Sequence, residues 1–172
     1  MADIDPSSLP GGLATVLDWA AELHGDEPGW HLWAVLDGPL RLALAQAWVL
    51  NTAGRVDDRR AATLAEANPD SSDAESMLDW YIAHWRRVYD MLAGDFGVFG
   101  APTLVGVDME LVVLVESQHV GYVEAGGPPM AGHSFIVKLR DNDWVIAALS
   151  RRLPVPGWPP TEEEIPGLGL DG

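Results

Sequence analysis

Apolar residues along this chain recur first at a spacing of three to four and then at a spacing of two, and the change falls near Gly94. Leu13, Val16, Leu17, Ala20 and Leu23 lie at helical spacing after Pro10-Gly11-Gly12, and Gly25 stands where a terminating glycine belongs. A link over 26–37 carries Trp30 and Trp33. A second helix is expected from Gly38 to Ala53, with Asp37 as N-cap, Pro39 in the first turn and Gly54 at the end. Its body, Leu40 to Leu50, is apolar on nearly every side, the pattern of a buried central helix. Residues 55–68 read as a short charged helix that stops before Pro69. Ser72 and Glu75 then form a capping-box pair that opens the most clearly patterned helix, Ala74 to Leu92. Met77, Leu78, Tyr81, Ile82, Trp85, Val88, Tyr89 and Leu92 make its apolar stripe, Asp79, Ala83, Arg86 and Asp90 lie opposite, and Gly94 closes it.

After a glycine-rich link to Pro102 the pattern is that of strands. From Thr103 to Glu116, Val105, Val107, Met109, Leu111, Val113 and Val115 share one face, while Asp108, Glu110 and Glu116 occupy the other. A second strand is expected at 119–125, before a Gly-Gly-Pro-Pro loop. The last two, 133–140 and 143–150, make a hairpin around Asp141-Asn142 that pairs Leu139 with Trp144, Val137 with Ile146 and Phe135 with Ala148. The order predicts an α+β fold, N-terminal helices packed on a curved, mainly antiparallel C-terminal sheet. Residues 1–153 form one domain, followed by an extended tail rich in Pro, Gly and Glu over 154–172.

Composition narrows the function classes. A chain of 172 residues with 48% hydrophobic content and eight tryptophans has ample material for a core. The absence of cysteine removes disulfides, thiolate catalysis and cysteine-based zinc sites. Ten basic residues face 26 acidic ones, for a net charge of −16, and Lys138 is the single lysine. Nucleic acids and anionic membranes are bound through clustered Lys and Arg, so neither is an expected partner. The acid is expected to keep an apolar domain soluble; alternatively, its field would steer a cationic protein partner toward the chain. No stretch approaches the roughly 20 apolar residues of a membrane span. The start, Met1-Ala2-Asp3-Ile4-Asp5-Pro6, is acidic where an export signal is basic, so the expected location is cytoplasmic.

Motif matches contribute little. Asp95-Phe96-Gly97 lacks the companions of a kinase magnesium triplet, and Gly167 to Gly172 lacks the strand and helix of a dinucleotide fingerprint. The remaining chemistry lies in histidines, tyrosines and carboxylates. His24 suits a helix C-terminus, where it meets free carbonyls. His31 stands between tryptophans without an evident partner, and His84 flanks the long helix on the row Trp80-His84-Arg87-Met91. His119 and His133 begin strands, and their spacing reveals no third ligand for a metal. Asp108 and Glu110 fall on one side of a strand, about 7 Å apart, and such a pair ordinarily marks the solvent-facing side of an antiparallel strand. A carboxylate of this pair facing an enclosed cavity would carry a raised pKa and suit a general base.

The helix Pro39 to Ala53, the helix Ala74 to Leu92 and the strands between Thr103 and Ser150 together resemble the NTF2-like (cystatin-like cone) superfamily. The resemblance lies in architecture, not in a motif, and covers about two-thirds of the chain. It implies a site inside the cone, and the superfamily holds polyketide cyclases, ketosteroid isomerase and dehydratases beside many non-catalytic modules. Two functions are therefore expected. The first is a non-catalytic module that binds a small apolar ligand or a protein, as a homodimer, with Tyr81, Trp85, Tyr122 and Trp144 as ligand-binding residues. An immunity role against a cationic partner is a variant of it. The second is a cofactor-independent lyase or isomerase acting on a hydrophobic carbonyl compound. There His84, Asp108 or His133 is the candidate base, and Tyr81 or Tyr122 donates a hydrogen bond. No metal and no cofactor is expected for either.

Overall fold

The segment around Asp37 shows how local signals set the helical half. Asp37 is extended (φ −63°, ψ 147°), its carboxylate accepts from the Gly38 N–H at 2.9 Å, and Pro39 enters the first turn of α3 (Gly38–Ala53). Gly54 ends that helix at φ 67°, a left-handed conformation that costs a side-chain-bearing residue about 1 kcal/mol. The structure, a computed structural model, describes residues 11–55, 57–117 and 132–150. The expected strand at 119–125, the tail at 154–172, His119 and Tyr122 lie outside the described residues.

Around α3 stand α1 (Gly11–Leu23), α2 (His31–Ala34), α4 (Asp58–Leu64) and α5 (Ser72–Val88), followed by a 3₁₀ turn, Asp90–Ala93. The short α2 falls in what the sequence pattern marks as a link. Helix α5 is capped by Ser71, whose hydroxyl accepts from the Ala74 N–H at 3.1 Å; the cap sits one residue before the expected Ser72, so no Ser72–Glu75 box forms. Among the described residues no helix is long and apolar enough to cross a membrane.

Three side chains tie helix ends together. Arg41 donates to the carbonyls of Ala34, Leu36 and Ala65, joining α2, α3 and the end of α4. Burial lowers its pKa, an effect opposed by Asp37. Arg86, expected on the solvent side of α5, instead donates to the Leu23 carbonyl at 2.8 Å and the Gly25 carbonyl at 2.7 Å. His24 Nε2 lies 3.0 Å from the carbonyl of Tyr89, the C-cap residue of α5. The ends of α1 and α5 thus satisfy each other's orphan carbonyls, which would otherwise be costly to bury.

The sheet contains β1 (Phe96–Val98), β2 (Thr103–Gly106), β3 (Met109–Glu116), β4 (His133–Arg140) and β5 (Asp143–Ser150). All pairings are antiparallel: β3, β4 and β5 lie side by side, while β1 and β2 both pair with the outer edge of β3. The single strand expected from Thr103 to Glu116 is therefore two, folded back at Val107-Asp108. Asp108 takes a positive φ of 54° in that turn, and Val107 is 86% exposed. The strand β1 lies in the glycine-rich link and was not expected. In the last hairpin, Leu139 opposes Trp144 and Val137 opposes Ile146 as expected, but Phe135 opposes Leu149 and not Ala148. A bulge at Ala147 causes the shift, and it turns both Ile146 and Leu149 toward the helices.

Both faces of β3 are buried. Val112 and Leu114 join Phe135, Val137, Ile146 and Leu149 against the helices, while Met109, Leu111, Val113 and Val115 join Ile136, Ala147 and Ala148 on the far face. The face expected to be wet is thus the one α1 crosses, and it carries Glu110. At the β5 edge, Asp37 N–H donates to the Ile146 carbonyl at 2.8 Å and Ile146 N–H donates to Val35 at 2.9 Å, so α2 and its link seal part of the open edge.

Candidate functional site

The hairpin turn builds one wall of a cleft. Asp141 and Asn142 both have positive φ (50° and 73°), the type I′ geometry that matches strand twist and pairs Leu139 with Trp144. Trp144 then lies half-buried against the first turn of α1. A Cβ on Gly11 would stand 2.3 Å from Trp144 Nε1, so glycine at this position is what admits the indole. Thr15 and Asp18, one turn apart on α1, form the second wall, and His31, Ala34 and Val35 the third. With Asn142, Asp143, Trp144 and Val145 these residues enclose about 470 Å³ that opens to solvent. Glu22 braces the α1–α2 corner: Oε2 lies 2.6 Å from His31 Nδ1, and Oε1 accepts from the Gly29 N–H at 3.3 Å.

The expected site residues are dispersed. Trp144 lines the cleft. Tyr81 is buried, and its hydroxyl donates to the Leu44 carbonyl at 2.8 Å. Burial pushes its phenol well above the ordinary value. Trp85 is in the core, edge-on to Trp19 at 5.6 Å and beside Tyr81 at 5.2 Å. His84 stacks parallel to the exposed Trp80 at 5.2 Å on the outside of α5. His133 is 7% exposed and packs on Tyr89 at 4.8 Å. Asp108 is exposed in the β2–β3 turn, where its carbonyl accepts from the Leu139 N–H at 2.8 Å. His84, Asp108 and His133 thus occupy three separate elements, and none lines the cleft that holds Trp144.

Glu110 departs from expectation most. It lies on the helix-facing side of β3 beneath Gly12, where a Cβ would come within 2.6 Å of its Oε2. That oxygen is shielded and has no hydrogen-bond partner among the described residues, and desolvation raises the pKa of the carboxyl.

Two other concavities differ in character. One, of about 410 Å³, is lined by Asp90, Met91, Gly94, Asp95, Glu116 and Ser117. The other, of about 550 Å³, lies beside Arg59, Arg60 and the start of α5, where Arg60 pairs with Asp73 at 2.6 Å and covers the Trp48 ring at 5.3 Å. Among the described residues, no group of three or more His, Asp or Glu is placed to hold a metal ion.

Sequence reasoning missed Thr15, Asp18, His31 and Asp143 as neighbours of Trp144. The Asp141-Asn142 turn signal locates Asp143 and Trp144 at a hairpin base, but no pattern in the sequence announces that α1 crosses there. Comparison with protein-family models, curated proteins and solved structures finds no match to this chain.

Proposed function

We propose that the chain is a non-catalytic binding module of NTF2-like architecture whose ligand sits in the cleft between α1, α2 and the β4–β5 turn. The observation that carries this reading is the cleft wall: an indole admitted by the missing side chain of Gly11, beside polar groups on three different elements. Binding sites combine an apolar or aromatic surface with placed polar groups, and here Trp144, Ala34, Val35 and Val145 stand beside the polar side chains of Thr15, Asp18, His31, Asn142 and Asp143. Helices followed by an antiparallel sheet agree with the resemblance, although a fold by itself does not select a use. Homodimerisation belongs to the same reading. Leu104 (74% exposed) and Val107 offer apolar surface for it at the β2 edge.

The test is a titration of the uniformly ¹⁵N-labelled chain with neutral aromatic compounds, aliphatic ketones, and basic and acidic peptides. At least one class is expected to move the Trp144 indole signal together with the Thr15 and Val145 amides. If none does so, the binding-module reading falls.

A second reading, a cofactor-independent lyase or isomerase acting on a hydrophobic carbonyl compound, is favoured by one observation. His31 lines the same cleft with Nδ1 held by Glu22. A carboxylate on one ring nitrogen orients imidazole and leaves the other nitrogen able to take a proton. Under this reading the wild-type chain exchanges α-deuterium from hydrophobic ketones and His31→Gln does not. Absence of exchange in the wild type removes it.

A further inference from the structure

We infer that the Trp144 cleft receives the guanidinium of an arginine side chain presented by a basic partner protein. The inference rests on the binding-module reading and names its ligand. Asp18 on α1 and Asp143 at the start of β5 both line the cleft and are exposed. Among the described residues, no ion pair or side-chain hydrogen bond engages either carboxylate. No lysine or arginine is among the described residues of the lining. Arg140, opposite Asp143 in the hairpin register, is turned to Asp37 at 3.3 Å, and His31 is held by Glu22. The cleft therefore offers free acceptor oxygens from two elements.

Those carboxylates alone would describe much of the surface of a chain carrying −16. Trp144 sets this cleft apart. A planar guanidinium stacks on an indole face and directs several N–H donors to carboxylates at its edge, a combination an ammonium group does not match. Among the described residues, the concavity lined by Asp90, Asp95 and Glu116 has carboxylates without an aromatic ring, and the one beside Arg59 and Arg60 carries two guanidinium groups. The Trp144 cleft is also open, so it suits the end of a side chain carried on a larger surface better than a fully enclosed small molecule. The negative field of the whole chain draws a basic partner toward it.

The test uses the full chain and three octapeptides of equal length, one rich in arginine, one in lysine and one in glutamate. Chemical shifts are followed at the Trp144 indole and at the Thr15 and Val145 amides. The arginine peptide is expected to move these signals, to bind several-fold more tightly than the lysine peptide, and to weaken as salt rises. Asp18→Asn and Asp143→Asn replace exposed side chains, so the fold is retained; each should weaken the arginine peptide about three- to tenfold. Equal binding of arginine and lysine peptides would reduce the effect to general charge attraction and overturn the inference. Shifts confined to other regions, or binding unchanged in both asparagine variants, would overturn it as well. If a neutral aromatic compound or ketone moves the cleft signals and the arginine peptide does not, the cationic ligand fails while the module reading stands. If no probe moves them, both fail together.

Discussion

The helix-facing surface of the sheet is built in two different ways at its two ends. At one end, Phe135, Leu114 and Leu149 meet a ring cluster in which Trp19 stands edge-on to Trp85 at 5.6 Å, Tyr89 at 5.5 Å and Phe135 at 5.9 Å. At the other end, Val137, Glu110 and Trp144 lie under Gly11 and Gly12, where the α1 backbone comes close because no side chain intervenes. The first end is stabilised by filled volume and edge-to-face contacts, and the Trp19 indole N–H also donates to the Leu32 carbonyl at 3.3 Å. The second end depends on missing volume, and it is where the cleft opens. The aromatic cluster and the candidate site are thus separated along one surface, so the cluster can be perturbed without touching the cleft.

Trp19→Ala should produce the largest effect. It empties a fully buried site touched by three aromatic rings, for a cost of about 3–5 kcal/mol in equilibrium denaturation. A cost below about 1 kcal/mol would mean that the ring cluster is not the chief support of the sheet. At the opposite end, Gly12→Ala adds one methyl group 2.5 Å from Val137 Cγ2 and 2.6 Å from Glu110 Oε2. Overpacking of this kind costs about 1–3 kcal/mol, more than the 0.5–1 kcal/mol or so that alanine adds to a helix. Loss of stability with displaced Trp144 signals is expected; a more stable variant would show that the close approach is not required. Tyr81→Phe returns to the aromatic end and removes only the hydroxyl that binds the Leu44 carbonyl. The expected cost is about 1 kcal/mol, with the cleft signals unchanged. Movement of the Trp144 signal in Tyr81→Phe would break the separation between the two ends.

The difference between the ends also explains what was legible in the sequence. Apolar spacing and caps place α1, α3 and α5, because a helix carries its period and its termini locally: Asp37, Pro39 and Gly54 act where the pattern puts them. The α+β order and most of the hairpin register follow from the same local signals. Alternation misled at β3, where Asp108 and Glu110 mark an apparently wet face. The unbroken run Leu111–Val115 is the better signal there, since a strand covered on both sides is apolar at every position. The fold-back at Val107-Asp108 was missed because it needs a positive φ at aspartate, a conformation open to Asp without a glycine to announce it. The candidate site was the least legible part. Trp144 could be singled out alone, whereas Thr15 and Asp18 reach it only through the crossing of α1 over β5 and His31 through the docking of α2 at the β5 edge, both tertiary events.

Glu110→Gln should give the smallest change and the one most specific to the glycine end. Desolvation beneath Gly12 raises the folded-state pKa of this carboxyl above its unfolded value, so ionisation costs more in the folded chain than in the unfolded one. Below the ordinary carboxylate range both states are protonated and the penalty is absent. As pH rises through the unfolded and then the folded pKa, the unfolded chain loses its proton first and the wild type loses stability. Glutamine keeps the shape and carries no charge, so it escapes that loss. The variant should therefore melt above the wild type at pH 7 and lose this advantage near pH 4, with Trp19→Ala showing no such crossover. An advantage that grows as pH falls would reverse the sign and place Glu110 in a stabilising ionised contact, which would make the two ends of the surface far more alike.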